Sequence, residues 1–157
     1  MIQRIQSVFL LLLALAMGSV LLLPLWHKVD GMTGQSLTLN AFGFAGAGQP
    51  LPAPAGPAWL IGVLAGASAL VAVVEIFQFR DRFLQLKLGA VNLLLITATL
   101  GAGFYFSSQG EQALNVKLQG QFLAGFYLPT LALLLNLLAN RFIRTDERLV
   151  RSQDRLR

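Results

Sequence analysis

The sequence predicts an all-α membrane protein: a bundle of four transmembrane helices with a small two-stranded sheet on its outer side. Three observations predict it. Apolar stretches at about 8–26, 58–79, 88–106 and 122–143 are each long enough to cross a bilayer. At about 1.5 Å rise per residue, roughly 20 apolar residues cross some 30 Å of hydrocarbon. Charged residues make up 12% of the chain and apolar ones 55%, about half the charge share of a soluble domain. Finally, the basic residues gather on one side of the implied membrane. One membrane domain, 1–157, is the natural reading, with outer loops at 27–57 and 107–121 and an inner tail at 144–157.

The first span follows a single basic residue, Arg4. A secretory signal has a shorter apolar region followed by small residues at a cleavage site. This run instead ends on Pro24-Leu25-Trp26, so an uncleaved span is expected. With the N-terminus inside, ten basic residues face the cytoplasm: Arg4, Arg80, Arg82, Lys87, Arg141, Arg144, Arg148, Arg151, Arg155 and Arg157. Only Lys28 and Lys117 face outward. That bias places both termini in the cytoplasm. Trp26, Trp59, Tyr105 and Tyr127 then fall near the outer boundary as an aromatic belt. Arg80, Arg82, Lys87, Arg141, Arg144, Arg148 and Arg151 become candidate contacts for anionic lipid headgroups.

In the first outer loop, residues 36–42 alternate polar and apolar, the period of a half-buried strand. Residues 112–119 in the second outer loop alternate in the same way, with Leu114, Val116 and Leu118 on one side. The two segments are expected to pair, resting on the bundle because a lone two-stranded sheet is marginal in water. Between them, Pro50, Pro52, Pro54 and Pro57 resist helix. The short link through Arg80-Asp81-Arg82 forces spans 2 and 3 into an antiparallel hairpin. Thr145, followed by Asp146 and Glu147, reads as the N-cap of a separate helix on the inner surface. In span 4, Pro129 cannot donate to the Gly125 carbonyl, and a kink is expected there.

Small residues at four-residue spacing let helices approach closely in lipid. Ala14 and Gly18 in span 1, and Gly62 and Gly66 in span 2, are the candidate helix-packing positions, with a homo-oligomer face through Gly62 and Gly66 as the alternative use. Glu75 lies about four residues, roughly 6 Å, inside the inner end of span 2. Asn92 and Asn136 stand at similar depth in spans 3 and 4. Ionisable groups in a bilayer are costly and face the interior or a polar cavity. The three are therefore expected to form a hydrogen-bonded cluster, in which Glu75→Leu would cost more than Glu75→Gln.

No other constellation carries chemistry. There are no cysteines, and the one histidine, His27, lies outside while Glu75 lies inside. No catalytic residue, metal site or cofactor is implied. The net charge of +5 comes from residues flanking the spans, and no basic globular module exists to carry nucleic acid.

The opening Met-Ile-Gln-Arg-Ile-Gln-Ser-Val and the closing stretch from Asn140 to Arg157 resemble a bacterial family of four-span inner-membrane proteins known only as a domain of unknown function. That resemblance implies the bacterial inner membrane and supplies no activity. More loosely, a strand-bearing first outer loop over four spans resembles the claudin-like arrangement, without its cysteine pair. The expected function is a non-enzymatic membrane scaffold, an accessory subunit or assembly factor that touches membrane lipids and other inner-membrane proteins. The alternative is a small-molecule or lipid carrier working through Glu75, Asn92 and Asn136.

Overall fold

The structure, a computed structural model, describes residues 2–47, 56–78, 81–114 and 117–154. Its four helices are α1 (Ile2–Val20), α2 (Leu60–Phe77), α3 (Arg82–Ala113) and α4 (Ala124–Asp154). Four short strands complete it: β1 (Trp26–Val29), β2 (Ser36–Asn40), β3 (Gly43–Ala47) and β4 (Gln121–Phe122). The helices α2, α3 and the Ala124–Asp146 part of α4 are long and apolar enough to cross a membrane. The apolar part of α1, Ile5–Val20, is shorter. Each helix packs on its two neighbours in the cyclic order α1, α2, α3, α4.

A heptad-like seam explains that packing. The buried residues of α3 include Gln85, Gly89, Asn92, Ile96, Thr99, Gly103, Phe106 and Gly110, which alternate steps of four and three. Ile61, Ala65, Ser68, Ala72 and Glu75 do the same on α2, as do Leu10, Leu13, Met17 and Val20 on α1. Such spacing keeps one stripe of each helix facing its partners. Apart from Ile61, Ile96 and Phe106, these seam residues of α2 and α3 are small or polar, whereas Leu70, Val74, Leu94, Leu134 and Leu137 stand exposed. Mirrored contacts make neighbouring helices antiparallel. Ser68 meets Asn92 and Glu75 meets Gln85 across α2 and α3. Gly89 meets Asn136 and Arg82 meets Asp146 across α3 and α4.

The sheet caps the end of the bundle where α1 finishes and α4 starts. It is antiparallel, in the order β3-β2-β1-β4. Its formation corrects the expected end of the first span. Pro24 has no N–H to continue α1 and biases the residue before it towards extended backbone. The chain leaves the helix at Val20, the Leu25 N–H donates to the Leu39 carbonyl at 2.8 Å, and Trp26 enters β1. Trp26 is accordingly 2% exposed beneath the sheet and no part of a belt, while Trp59, Tyr105 and Tyr127 stay exposed.

The expected partner of β2 is also corrected. Leu37 and Leu39 are buried on one face of β2, in keeping with the period of two. Yet β2 pairs with β1 and β3, its neighbours along the chain, whose short loops are cheap to close. In the segment expected to pair with β2, α3 runs on to Ala113, and residues 115 and 116 lie outside the described residues. The strand that follows, β4, starts at Gln121 and pairs with β1. The polar stretch after Phe106 stays helical because its inner side packs on the sheet, with Gly110 against the rings of Trp26 and Phe44. The β1–β2 turn is organised by Asp30. Its carboxylate accepts the Met32 N–H at 3.0 Å and the Thr33 hydroxyl at 2.8 Å, an Asx-type turn. Those two bonds, the Met32 one foremost, hold its carboxyl below the usual carboxylate range.

The inner tail differs from expectation as well. No separate helix begins at Thr145. Helix α4 continues through it to Asp154, and the Thr145 hydroxyl donates back to the Arg141 carbonyl at 3.0 Å. The salt bridge from Arg82 to Asp146, at 3.0 Å, ties this stretch to α3 and favours continuity over a break. Helix α4 also runs through Pro129.

Candidate functional site

The polar side chains of the seam gather towards the end of the bundle opposite the sheet. Glu75, Asn92 and Asn136 are all fully buried. Their hydrogen bonds, however, do not join them to one another. Asn92 Oδ1 accepts the Ser68 hydroxyl at 2.5 Å. Asn136 Nδ2 donates to the Gly89 carbonyl at 3.0 Å, and Asn136 Oδ1 accepts Asn140 Nδ2 at 3.3 Å. The Glu75 backbone carbonyl accepts Gln85 Nε2 at 3.0 Å. Both oxygens of the Glu75 carboxyl have no hydrogen-bond partner, nor do Asn92 Nδ2, Asn140 Oδ1 and Gln6 Nε2. The expected cluster is thus a set of separate helix-to-helix bonds with an unpartnered carboxyl beside it.

Gln6, Ser68, Gln85, Gly89 and Asn140 belong to this region and were not singled out in the sequence. For Gln85 and Gly89 the signal is the four-and-three spacing that runs through them to Asn92. Gly89 is required by contact: a Cβ there would meet the Asn140 amide.

The small-residue candidates divide. Ala14 packs against the core cluster. Gly62 is a site of close approach, but to the sheet rather than a helix. Its N–H donates to the Ala41 carbonyl at 2.8 Å, and a Cβ would stand 2.9 Å from that oxygen. Beside Gly18 and Gly66 there is no heavy atom within 4 Å of a Cβ position, so neither marks close helix packing within the chain.

The basic residues divide too. Arg82 is paired with Asp146, and Lys87 lies 4.3 Å from the Phe83 ring centre. Arg141, Arg144 and Arg148 share one groove of α4. Arg80 and the side chain of Arg151 lie outside the described residues.

At the sheet end, Lys28 is more than an outward charge. Its side chain is fully buried, and Nζ donates to the Glu111 carbonyl at 2.9 Å and lies 3.5 Å from Glu111 Oε2. The same carboxylate accepts the Gly120 N–H at 2.9 and 3.2 Å. One ion pair thereby joins β1, the end of α3 and the approach to β4. A groove of about 260 Å³ nearby is lined by Trp26, Ser107, Ser108, Glu111, Gly120 and Phe122. Three of its polar side chains are already engaged: Ser107 with the Gly103 carbonyl, Ser108 with that of Tyr105, and Glu111 as above. Among the described residues, no group of three or more His, Asp or Glu could hold a metal ion.

Neither the curated proteins nor the solved structures contain a match to this chain. A family model does match, over residues 2–156. The protein therefore belongs to the family described as "Domain of unknown function (DUF4293)".

Proposed function

We propose that the protein spans the bacterial inner membrane four times, with the sheet outside and both termini in the cytoplasm. There it serves as a non-enzymatic scaffold, an accessory subunit or assembly factor of a larger complex. The observation that carries this reading is where polar and apolar side chains stand. The seams of α2 and α3 carry serine, asparagine, glutamine and glycine among their apolar residues, while the outward faces hold leucine and valine. That arrangement suits a lipid surround, where polar groups serve as joints between helices. The joints Ser68–Asn92, Gln85–Glu75 and Asn136–Gly89 each hold two helices together, and each engages the side chain that makes it. The basic residues of α1, α3 and α4 lie at the helix ends away from the sheet, which fits the orientation. Helix α1, though shorter in its apolar part, is completed by the Leu21–Leu23 turn. The scaffold reading expects native electrophoresis of gently solubilised membranes to place the protein in a particle well above its own 17.0 kDa plus a micelle. Migration as the lone chain would sink it.

The unpartnered carboxyl of Glu75 favours a second reading, a carrier or proton site. The two readings part on substitution. Because Asn92 and Asn136 have partners of their own, Glu75→Leu no longer strands them, which reverses the sequence expectation. An unpaired buried carboxyl gives way to an apolar group at little cost or with a gain. On the scaffold reading, Glu75→Gln and Glu75→Leu both stay within about 1 kcal/mol of the parent, measured by melting in detergent. On the carrier reading, Glu75→Gln melts normally yet reproduces the growth phenotype of deleting the protein.

A further inference from the structure

We propose that Arg141, Arg144 and Arg148 form a site for the phosphate of an anionic phospholipid, with its acyl chain lying along Leu134 and Leu137. The proposal rests on the membrane-spanning reading. The residues Leu137, Asn140, Arg141, Arg144, Thr145 and Arg148 line a groove of about 360 Å³. Steps of four, three and four from Leu137 to Arg148 place these side chains on one face of α4. Arg141 and Arg148 are two turns apart, about 10 Å along the axis.

Among the described side chains this face has no counter-charge: Asp146, on the same stretch of α4, pairs with Arg82. None of the three groove guanidinium groups has an ion pair or hydrogen bond among the described side chains. Like charges one turn apart on a helix repel, so an anion bound in the groove relieves that repulsion. A phosphodiester supplies one, with oxygens that match the guanidinium fork.

What selects a lipid over a free anion is the surface that leads out of the groove. Leu134, Leu137 and Leu138 are 54%, 48% and 41% exposed on the turns just before Arg141. A tethered phosphate brings its own acyl chain to that surface; inorganic phosphate brings nothing to it. Arg82 and Lys87 sit at the same end of the bundle but are already engaged, so the site is local and not a property of the whole basic end.

The test is native mass spectrometry of the full chain in a non-ionic detergent, with phosphatidylglycerol, phosphatidylcholine and inorganic phosphate titrated separately. Phosphatidylglycerol should bind at least about tenfold tighter than phosphatidylcholine. The triple variant Arg141→Gln, Arg144→Gln, Arg148→Gln should lose that preference. The triple lysine variant keeps the charge and should still lose severalfold, because ammonium groups lack the planar fork. Lysine binding equal to the parent would reduce the site to diffuse charge and overturn the proposal. Undiminished binding by the glutamine variant would overturn it too. Inorganic phosphate competing as well as phosphatidylglycerol would make the groove a soluble-anion site. Should the glutamine variant melt early, the lysine variant decides alone. The spanning reading has its own readout. Single cysteines at Met32 and Ser152 in this cysteine-free chain should react with an impermeant thiol reagent in intact spheroplasts at position 32 only. Equal labelling at both would sink the spanning reading whatever the lipids show. Labelling at 32 alone with no lipid preference would sink only the groove.

Discussion

Replacing Lys28 with methionine should cost about 3 kcal/mol of stability, the low end of what losing one partner of a buried ion pair costs. Methionine matches the length of the lysine stem, so packing under the sheet survives. What disappears is the donor at 2.9 Å from the Glu111 carbonyl and the cation at 3.5 Å from its carboxylate. The lysine side chain is fully buried while that of Glu111 keeps 33% exposure. Water can therefore still reach the stranded carboxylate, which is why the low end of the range applies. Melting of the full chain in detergent measures the loss. Adding Glu111→Gln to Lys28→Met should recover part of it, since the unpaired charge is then gone. A change under about 1 kcal/mol for Lys28→Met would mean that the pair behaves as a solvent-screened surface bridge.

Gly125→Ala should be comparably damaging, at about 3 kcal/mol, the upper end of ordinary overpacking. A Cβ there would stand 2.6 Å from the Pro24 carbonyl oxygen and 2.8 Å from that of Leu23. Both are backbone atoms, and the proline ring restricts how that backbone can turn aside. The Gly125 N–H also donates to the Pro24 carbonyl at 3.2 Å, so the added methyl pushes on a contact that fixes the first turn of α4. Gly18→Ala is the control. With nothing within 4 Å of its Cβ position, it should be neutral or gain up to about 1 kcal/mol from the better helix former. Equal losses at the two positions would show that close approach is not what Gly125 provides.

The sequence made the helices legible because length and apolar content alone report them. It misplaced their ends wherever a neighbour decided the matter. Pro24 stopped α1 early and released Trp26 to β1. Packing on the sheet kept residues beyond Phe106 helical, and the bond between Arg82 and Asp146 carried α4 past Thr145. The sheet was half legible: Leu37 and Leu39 announce a strand by period, but period says nothing about which strand lies alongside. At the candidate site, depth placed Glu75, Asn92 and Asn136 in one region and correctly turned them inward. It could not assign their partners, because Ser68, the Gly89 carbonyl and Asn140 are set by helix rotation. Gly18 and Gly66 show the same limit for small residues: spacing marks where a helix has room, not what fills it.

The unbroken course of α4 links the two ends of the bundle. Its 31 residues amount to about 46 Å of helix, roughly 15 Å more than the hydrocarbon it would cross. At one end its approach is bolted to the chain entering β1, through the Leu123 N–H on the Leu25 carbonyl and the Gly125 N–H on that of Pro24. At the other it carries the arginines. One helix thus ties the arginines to the sheet, with Pro129, which cannot donate to the Gly125 carbonyl, as the weakened point near its sheet end.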